Sequence, residues 1–182
     1  MFISVKALQD KEISFQERLA GGTLDLGSEL FQEGALLTNG RASLVEEHEG
    51  RTRIADIRLV GEFSTRLQLK CARCLEPVLR DVAARFDLVY RPLGAVASPA
   101  EKAISEAETE IGFYQGEGLL LEDALKEQVL LAVPIREICR ADCKGICPQC
   151  GHNRNTEACD CPPPQMDPRW AGLQEIKDKL QQ

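Results

Sequence analysis

The chain has 182 residues, of which 43% are hydrophobic and 28% charged, and its formal net charge is -7. A chain of this length can bury a core without cross-links, and no apolar run approaches the roughly 20 residues that cross a bilayer. The negative charge argues against a protein that binds nucleic acid mainly by neutralising phosphates, and it favours a basic protein partner or a local basic patch.

The first half of the chain has the alternating pattern of a mostly antiparallel sheet. Residues 2–8 predict a first strand, and the pattern is ambiguous from there to about residue 35. Residues 41–47 and 52–70 predict two strands that pair across a turn at 48–50.

The strand predicted at 52–70 continues into a second hairpin, with the sequence CARC (71–74) at its turn. Gly61 interrupts the strand and predicts a bulge. The returning strand, residues 78–90, places five apolar side chains on one face, Val82, Ala84, Phe86, Leu88 and Tyr90.

Residues 91–118 break the pattern with prolines and glycines. From Ser98 to Gly118 there are five acidic residues and one lysine, which predicts an acidic, solvent-exposed loop. Residues 119–133 have apolar side chains at helical spacing, so we expect a core helix that Pro134 ends.

We therefore expect an α+β fold, in which an antiparallel β-sheet or open barrel carries a packed core helix. The predicted parts are a sheet domain (1–138), a cysteine-rich, zinc-ribbon-like lobe (139–164) and a C-terminal helix (165–182). In that last helix an apolar stripe that includes Trp170 either docks on the body or faces a partner.

Eight cysteines form four close pairs, and six of them lie between Cys139 and Cys161. The chain begins without a basic segment followed by an apolar one, so we expect a cytoplasmic protein whose thiols stay reduced. Four thiolates suit a tetrahedral zinc ion, and Gly151 after Cys150 permits the tight turn of a zinc knuckle. The spacing favours two sites of four ligands each, Cys147, Cys150, Cys159 and Cys161 in one and Cys71, Cys74, Cys139 and Cys143 in the other.

Alternatives to two zinc sites remain open. One filled site with free thiols is the second possibility, and Cys143 fits either set. His152 could replace a cysteine, although an exposed loop position suits it better. Iron in four thiolates and a redox role for CARC are further possibilities.

Reactive groupings are missing from the sequence. We find no Ser/His/Asp set, P-loop or dinucleotide turn, so we expect no enzyme and no small-molecule substrate. From Arg66 to Arg91 six basic residues stand against three acidic ones. Candidate RNA contacts are therefore Arg66, Lys70, Arg73, Arg80 and Arg85, with Lys144 and Arg154 from the cysteine-rich lobe.

The combination of CARCLEPV, the core helix, CKGICPQCG, CDC and DPRW resembles the YceD family, also called domain of unknown function 177, over about residues 50–180. The family is named for large ribosomal RNA subunit accumulation. The resemblance implies a role in the synthesis, processing or stability of large-subunit (23S) rRNA without a known enzymatic activity.

Together these observations predict a zinc-bearing ribosome-assembly factor without catalysis. Its expected partners are a large-subunit rRNA precursor, a basic ribosomal protein, or both, with the acidic loop shielding the latter. A zinc-ribbon adaptor in transcription and a redox or iron thiolate protein are the alternatives.

Overall fold

The computed structural model describes residues 1–49, 52–94, 111–162 and residue 169. The elements in this part of the chain are β1 (Phe2–Ser4), α1 (Val5–Asp10), β2 (Ile13–Leu19), β3 (Phe31–Gln32), β4 (Leu36–Glu49), β5 (Thr52–Lys70), β6 (Pro77–Pro92), β7 (Ile111–Tyr114), β8 (Gly118–Leu120) and α2 (Leu121–Ala132).

A six-stranded sheet dominates the fold, with the order β2-β4-β5-β6-β7 and β3 paired to the last part of β5. The long hairpins β4–β5 and β5–β6 are antiparallel, as predicted, whereas β7 runs parallel to β6. Within the described ranges the edge strands β2 and β7 do not pair with each other, so the sheet is open and not a closed barrel. A second, two-stranded sheet joins β1 to β8.

Helix α2 packs on the inner face of the sheet. Its buried side chains are Leu121, Ala124, Leu125 and Val129, which confirms the predicted apolar face. They share one core with the alternating inner residues of β5 and β6, including Leu67, Val82 and Phe86. No helix of the described residues is long and apolar enough to span a bilayer.

The prediction of a bulge at Gly61 is wrong, because β5 keeps a continuous register through this position. Gly61 lies in a row across four strands, Phe15–Gly40–Gly61–Phe86. A Cβ on Gly61 would lie 2.9 Å from the Phe86 ring and 2.5 Å from the Asn39 carbonyl oxygen. Gly61 is therefore a packing site for an aromatic ring, which covers the backbone where a side chain is missing.

The first predicted strand, residues 2–8, ends earlier than expected. Its last residue is Ser4, whose hydroxyl oxygen accepts a hydrogen bond from the Ala7 N–H at 3.2 Å and caps α1. This capping satisfies one of the free N–H groups at a helix start and favours the helix over a longer strand.

The predicted loop 91–118 is shorter in the structure, since β6 reaches Pro92 and residues 111–114 form β7. Its central part, residues 95–110, lies outside the described residues, as does the predicted helix 165–182 apart from residue 169.

Candidate metal centres

The eight cysteines form two groups of four, and within each group all Sγ atoms lie within 4.8 Å of one another. Site A comprises Cys71, Cys74, Cys139 and Cys143, and site B comprises Cys147, Cys150, Cys159 and Cys161. These are the two sets that the sequence analysis favoured.

Site A joins the turn of the β5–β6 hairpin to the segment that follows α2. In the turn, the Leu75 N–H donates to the Cys71 carbonyl at 2.9 Å, and Leu75 has the left-handed φ of 64°. Gly151 takes the equivalent place after Cys150 in site B, with a φ of 76°. CARC thus makes the same turn as the glycine-containing knuckle, although a leucine disfavours this conformation.

Backbone hydrogen bonds hold the second half of site A against the hairpin. The Ala72 N–H donates to the Glu137 carbonyl at 2.7 Å, and the Ile146 N–H donates to the Arg73 carbonyl at 2.9 Å. These two bonds flank Cys139 and Cys143 in sequence, so they position both thiols over the turn.

The sulfur spacing in site A fits a tetrahedral ion. Cys71 Sγ lies 3.9 Å from Cys143 Sγ, and Cys74 Sγ lies 3.7 Å from Cys139 Sγ. Zinc–sulfur bonds of about 2.3 Å in a regular tetrahedron place the sulfurs roughly 3.8 Å apart. The residues present therefore fit zinc at their existing spacing.

Backbone N–H groups support one thiolate in each site. Burial opposes the ionisation of Cys71, but the N–H groups of Cys74, Cys139 and Arg73 outweigh it and lower the Cys71 pKa to about 6. In site B the N–H groups of Cys150 and Gln149 lower the Cys147 pKa to about 6. Since metals bind thiolates and not thiols, this arrangement favours coordination.

Two asparagines connect the sites. The Asn155 side-chain N–H donates to the Cys143 Sγ at 3.4 Å, while its Oδ1 accepts from the Lys144 N–H at 2.8 Å. Asn153 accepts a second bond from Asn155 at 2.8 Å and donates to Glu76 in the hairpin turn at 3.1 Å. The loop between the two cysteine pairs of site B therefore supplies a hydrogen-bond donor to site A.

His152 belongs to neither group. His152 is exposed, with Nε2 at 3.9 Å from a Glu157 carboxylate oxygen, so it does not replace a cysteine. The side chain of His48 lies outside the described residues.

Most of the predicted basic face is paired with acidic residues. On the outer face of the sheet Arg66 makes two hydrogen bonds with Asp81, at 2.7 and 3.0 Å, Lys70 pairs with Glu29, and Arg85 pairs with Glu62. The excess of basic residues between Arg66 and Arg91 does not reveal this neutralisation, because Glu29 and Glu62 lie outside that segment of the sequence.

The remaining basic residues are distributed differently. Arg80 projects from the opposite face of β6 and pairs with Glu137 at 3.5 Å. Arg73 donates to the Cys143 carbonyl at 2.9 Å and so belongs to the frame of site A. Lys144 and Arg154 line one hollow in the lobe, are exposed, and form no ion pair with any residue that the structure describes.

A buried ion pair was not foreseen from the sequence. Arg91 Nη2 lies 2.7 Å from Asp56 Oδ2, with 11% and 1% of the two side chains exposed. Arg91 therefore belongs to the interior, although it was counted with the basic face. The sequence analysis also did not identify Asn153 and Asn155 as members of the hydrogen-bond network around site A. Their position between the two cysteine pairs of site B was the available signal for such a role.

Comparison with known proteins gives a family match over residues 59–177, to "Large ribosomal RNA subunit accumulation protein YceD". An uncharacterized protein of Mycobacterium tuberculosis is 34% identical over 153 residues, which cover 84% of this chain and 60% of that protein. The chain thus corresponds to less than two thirds of that relative. The Arabidopsis thaliana "Large ribosomal RNA subunit accumulation protein YCED homolog 1, chloroplastic" is 26% identical over 69% of this chain and 46% of its own length. No solved structure matches the chain.

Proposed function

The chain belongs to the YceD family, and from this membership we propose that it is a non-enzymatic factor for the synthesis, processing or stability of large-subunit (23S) rRNA. The names of the plant relatives support this role in ribosome biogenesis. Its partners would be a precursor of the large-subunit rRNA, a basic ribosomal protein, or both. We place it in the cytoplasm, where thiols stay reduced.

The observation that carries the structural, non-catalytic part of the proposal is the pair of four-cysteine sites. We propose zinc at both, with the eight cysteines of sites A and B as ligands. A bound zinc ion would supply cross-linking of chain segments and not a reactive centre, because four protein ligands leave no position for water or substrate. A scaffold of this kind presents surfaces for docking.

For the contact with rRNA we favour the cysteine-rich lobe over the outer face of the sheet. Lys144 and Arg154 line the same hollow, and no described acidic residue pairs with them. Arg66 and Arg85 would have to break ion pairs before they reached phosphates. Contacts of these two cations with phosphates would release counterions from the RNA, so this part of the binding would weaken as the salt concentration rises.

Co-sedimentation with large-subunit precursors tests this proposal in cells that lack the native copy. The double variant Lys144→Glu/Arg154→Glu should leave the precursor fraction and lower the ratio of large- to small-subunit rRNA. The single variant Arg85→Glu is the control and should behave as the original protein. Wild-type levels of both readouts in the double variant would refute the assigned contact.

Crosslinking in cells separates the proposed role from that of a transcription adaptor. We expect large-subunit rRNA and its proteins to be recovered; recovery of RNA polymerase alone would contradict the ribosomal role.

Elemental analysis of the anaerobically purified protein should give two zinc ions per chain. Visible absorbance together with one or two iron ions per chain would contradict the assignment of zinc and would indicate an electron-transfer protein.

A further inference from the structure

A groove with exposed apolar walls lies at the edge of the sheet, away from sites A and B. It has a volume of about 430 Å³ and lies between β1, β7, β8 and α2. Three large apolar side chains line it while remaining strongly exposed, Phe2 at 53%, Phe113 at 62% and Leu120 at 47%. A cluster of exposed apolar residues on one groove is typical of an interaction site.

The same groove has a negative rim. Asp123 and Glu127 are one turn apart on α2, both are exposed, and both line the groove. Neither forms an ion pair with a residue of the described part of the chain, and the described lining residues include no basic side chain. Among the described residues, no cation therefore neutralises the rim.

An aromatic ring lies beside this rim. Tyr90 lines the groove, and burial together with the neighbouring Glu127 carboxylate raises its pKa to about 12. Phe2 and Phe113 line the same groove, which therefore combines aromatic residues with two carboxylates. A cation is attracted both to the face of an aromatic ring and to a carboxylate, so a guanidinium or ammonium group fits this combination.

Other classes of occupant fit less well. A phosphate-bearing ligand, such as RNA or an anionic lipid, would meet Asp123 and Glu127 with like charge. A second copy of this chain would bring a net charge of -7 towards the same carboxylates. A protein segment remains favoured, and β7 provides a place for it, because β7 is an edge strand of the sheet in the described residues.

We propose that the groove formed by Phe2, Tyr90, Phe113, Leu120, Asp123 and Glu127 binds a segment of a partner protein in which arginine or lysine is flanked by apolar residues. The chemical class of the partner segment follows from the residues of the groove. That the partner is a basic ribosomal protein rests on the proposed function.

Fluorescence anisotropy with the full chain tests the groove directly. The probe is a labelled peptide of sequence Leu-Arg-Leu-Arg-Leu, and its matched control carries citrulline, which keeps the shape of arginine without the charge. We expect the citrulline peptide to bind at least about tenfold more weakly, which is the weight of one charge-assisted hydrogen bond. Equal binding of the two peptides, or no binding of the arginine peptide, would overturn the proposal.

Variants locate the binding within the molecule. Asp123→Asn/Glu127→Gln should weaken the arginine peptide at least about tenfold, and Phe113→Ser should weaken both peptides. The control Asp10→Asn/Glu33→Gln makes the same change in net charge at two exposed residues elsewhere and should bind as the original. An equal loss in this control would show bulk charge and not a site.

The two proposals fail separately. If the arginine peptide binds in the groove but the protein does not sediment with large-subunit precursors, the ribosomal role is wrong and the groove stands. Precursor association that is intact without peptide binding refutes the groove alone.

Discussion

Replacing Asn155 by aspartate tests whether the lobe supports site A from outside the ligand set. Asn155 donates an N–H to the Cys143 Sγ at 3.4 Å and another to the Asn153 Oδ1 at 2.8 Å. Aspartate has the same shape and keeps the acceptor that the Lys144 N–H uses. The change therefore removes both donations and places a negative oxygen against a thiolate.

The expected loss follows from these contacts. Removing a hydrogen-bonded partner of a metal ligand lowers metal affinity by about 10- to 100-fold. We expect the upper end of this range, because Asn155→Asp also adds like-charge repulsion to the lost N–H···S bond. Site B, whose ligands make no described contact with the Asn155 side chain, should keep its affinity.

Competition between the zinc-loaded protein and a chromophoric chelator measures the affinities of the two sites. In Asn155→Asp one ion should be released at about 100-fold lower chelator concentration than before, and the other as in the wild type. Gln16→Glu, the same amide-to-carboxylate change at an exposed residue of β2, is the control. Unchanged release of both ions in Asn155→Asp would refute the reasoning that the amide supports site A.

Three further predictions concern other parts of the molecule. Cys150→Ala should lower the zinc content from two ions to one per chain and open the lobe to trypsin, whereas a content of two would contradict the ligand set of site B. Gly61→Ala should lower the free energy of unfolding by about 1–3 kcal/mol, since the new Cβ meets the Asn39 carbonyl oxygen at 2.5 Å. Denaturant unfolding measures this loss, with Ser64→Ala on the outer face of the same strand as the control. Equal midpoints for the two variants would contradict the packing argument. Tyr90, with a pKa raised to about 12 by burial and a neighbouring carboxylate, should contribute stability that is fully present below pH about 10 and lost as the pH rises to about 12. Tyr90→Phe should remove that part of the alkaline loss, and an unaltered pH profile would show that the residue titrates normally.

The hairpins and the core helix were predictable because their signals are local. Val82 and Phe86 alternate with exposed residues along β6, and Leu121, Leu125 and Val129 repeat at helical spacing along α2. The grouping of the cysteines was also accessible, since two residues between a pair aim both thiols at one point. A local sequence pattern predicts an element correctly wherever the folded structure keeps the conformation that the local sequence favours.

Features that depend on distant segments were not predictable. Glu29 pairs with Lys70 across 41 positions of sequence, and Tyr114 joins the sheet through the parallel strand β7, which is separated from β6 by many residues of the chain. Gly61 resembles a bulge until the Phe86 ring occupies the space above it. In each case the decisive neighbour comes from a distant part of the chain.

The two sites differ in how much of the chain they need. The cysteines of site B lie between Cys147 and Cys161, so the proposed ion would be captured as soon as that short stretch leaves the ribosome. Site A needs Cys71 and Cys143, which come together only after β6 and α2 have taken their places. Closing such a long loop is costly before tertiary contacts exist. Metal binding at site A would therefore require that β6 and α2 are already in place, whereas metal binding at site B would require only residues 147–161.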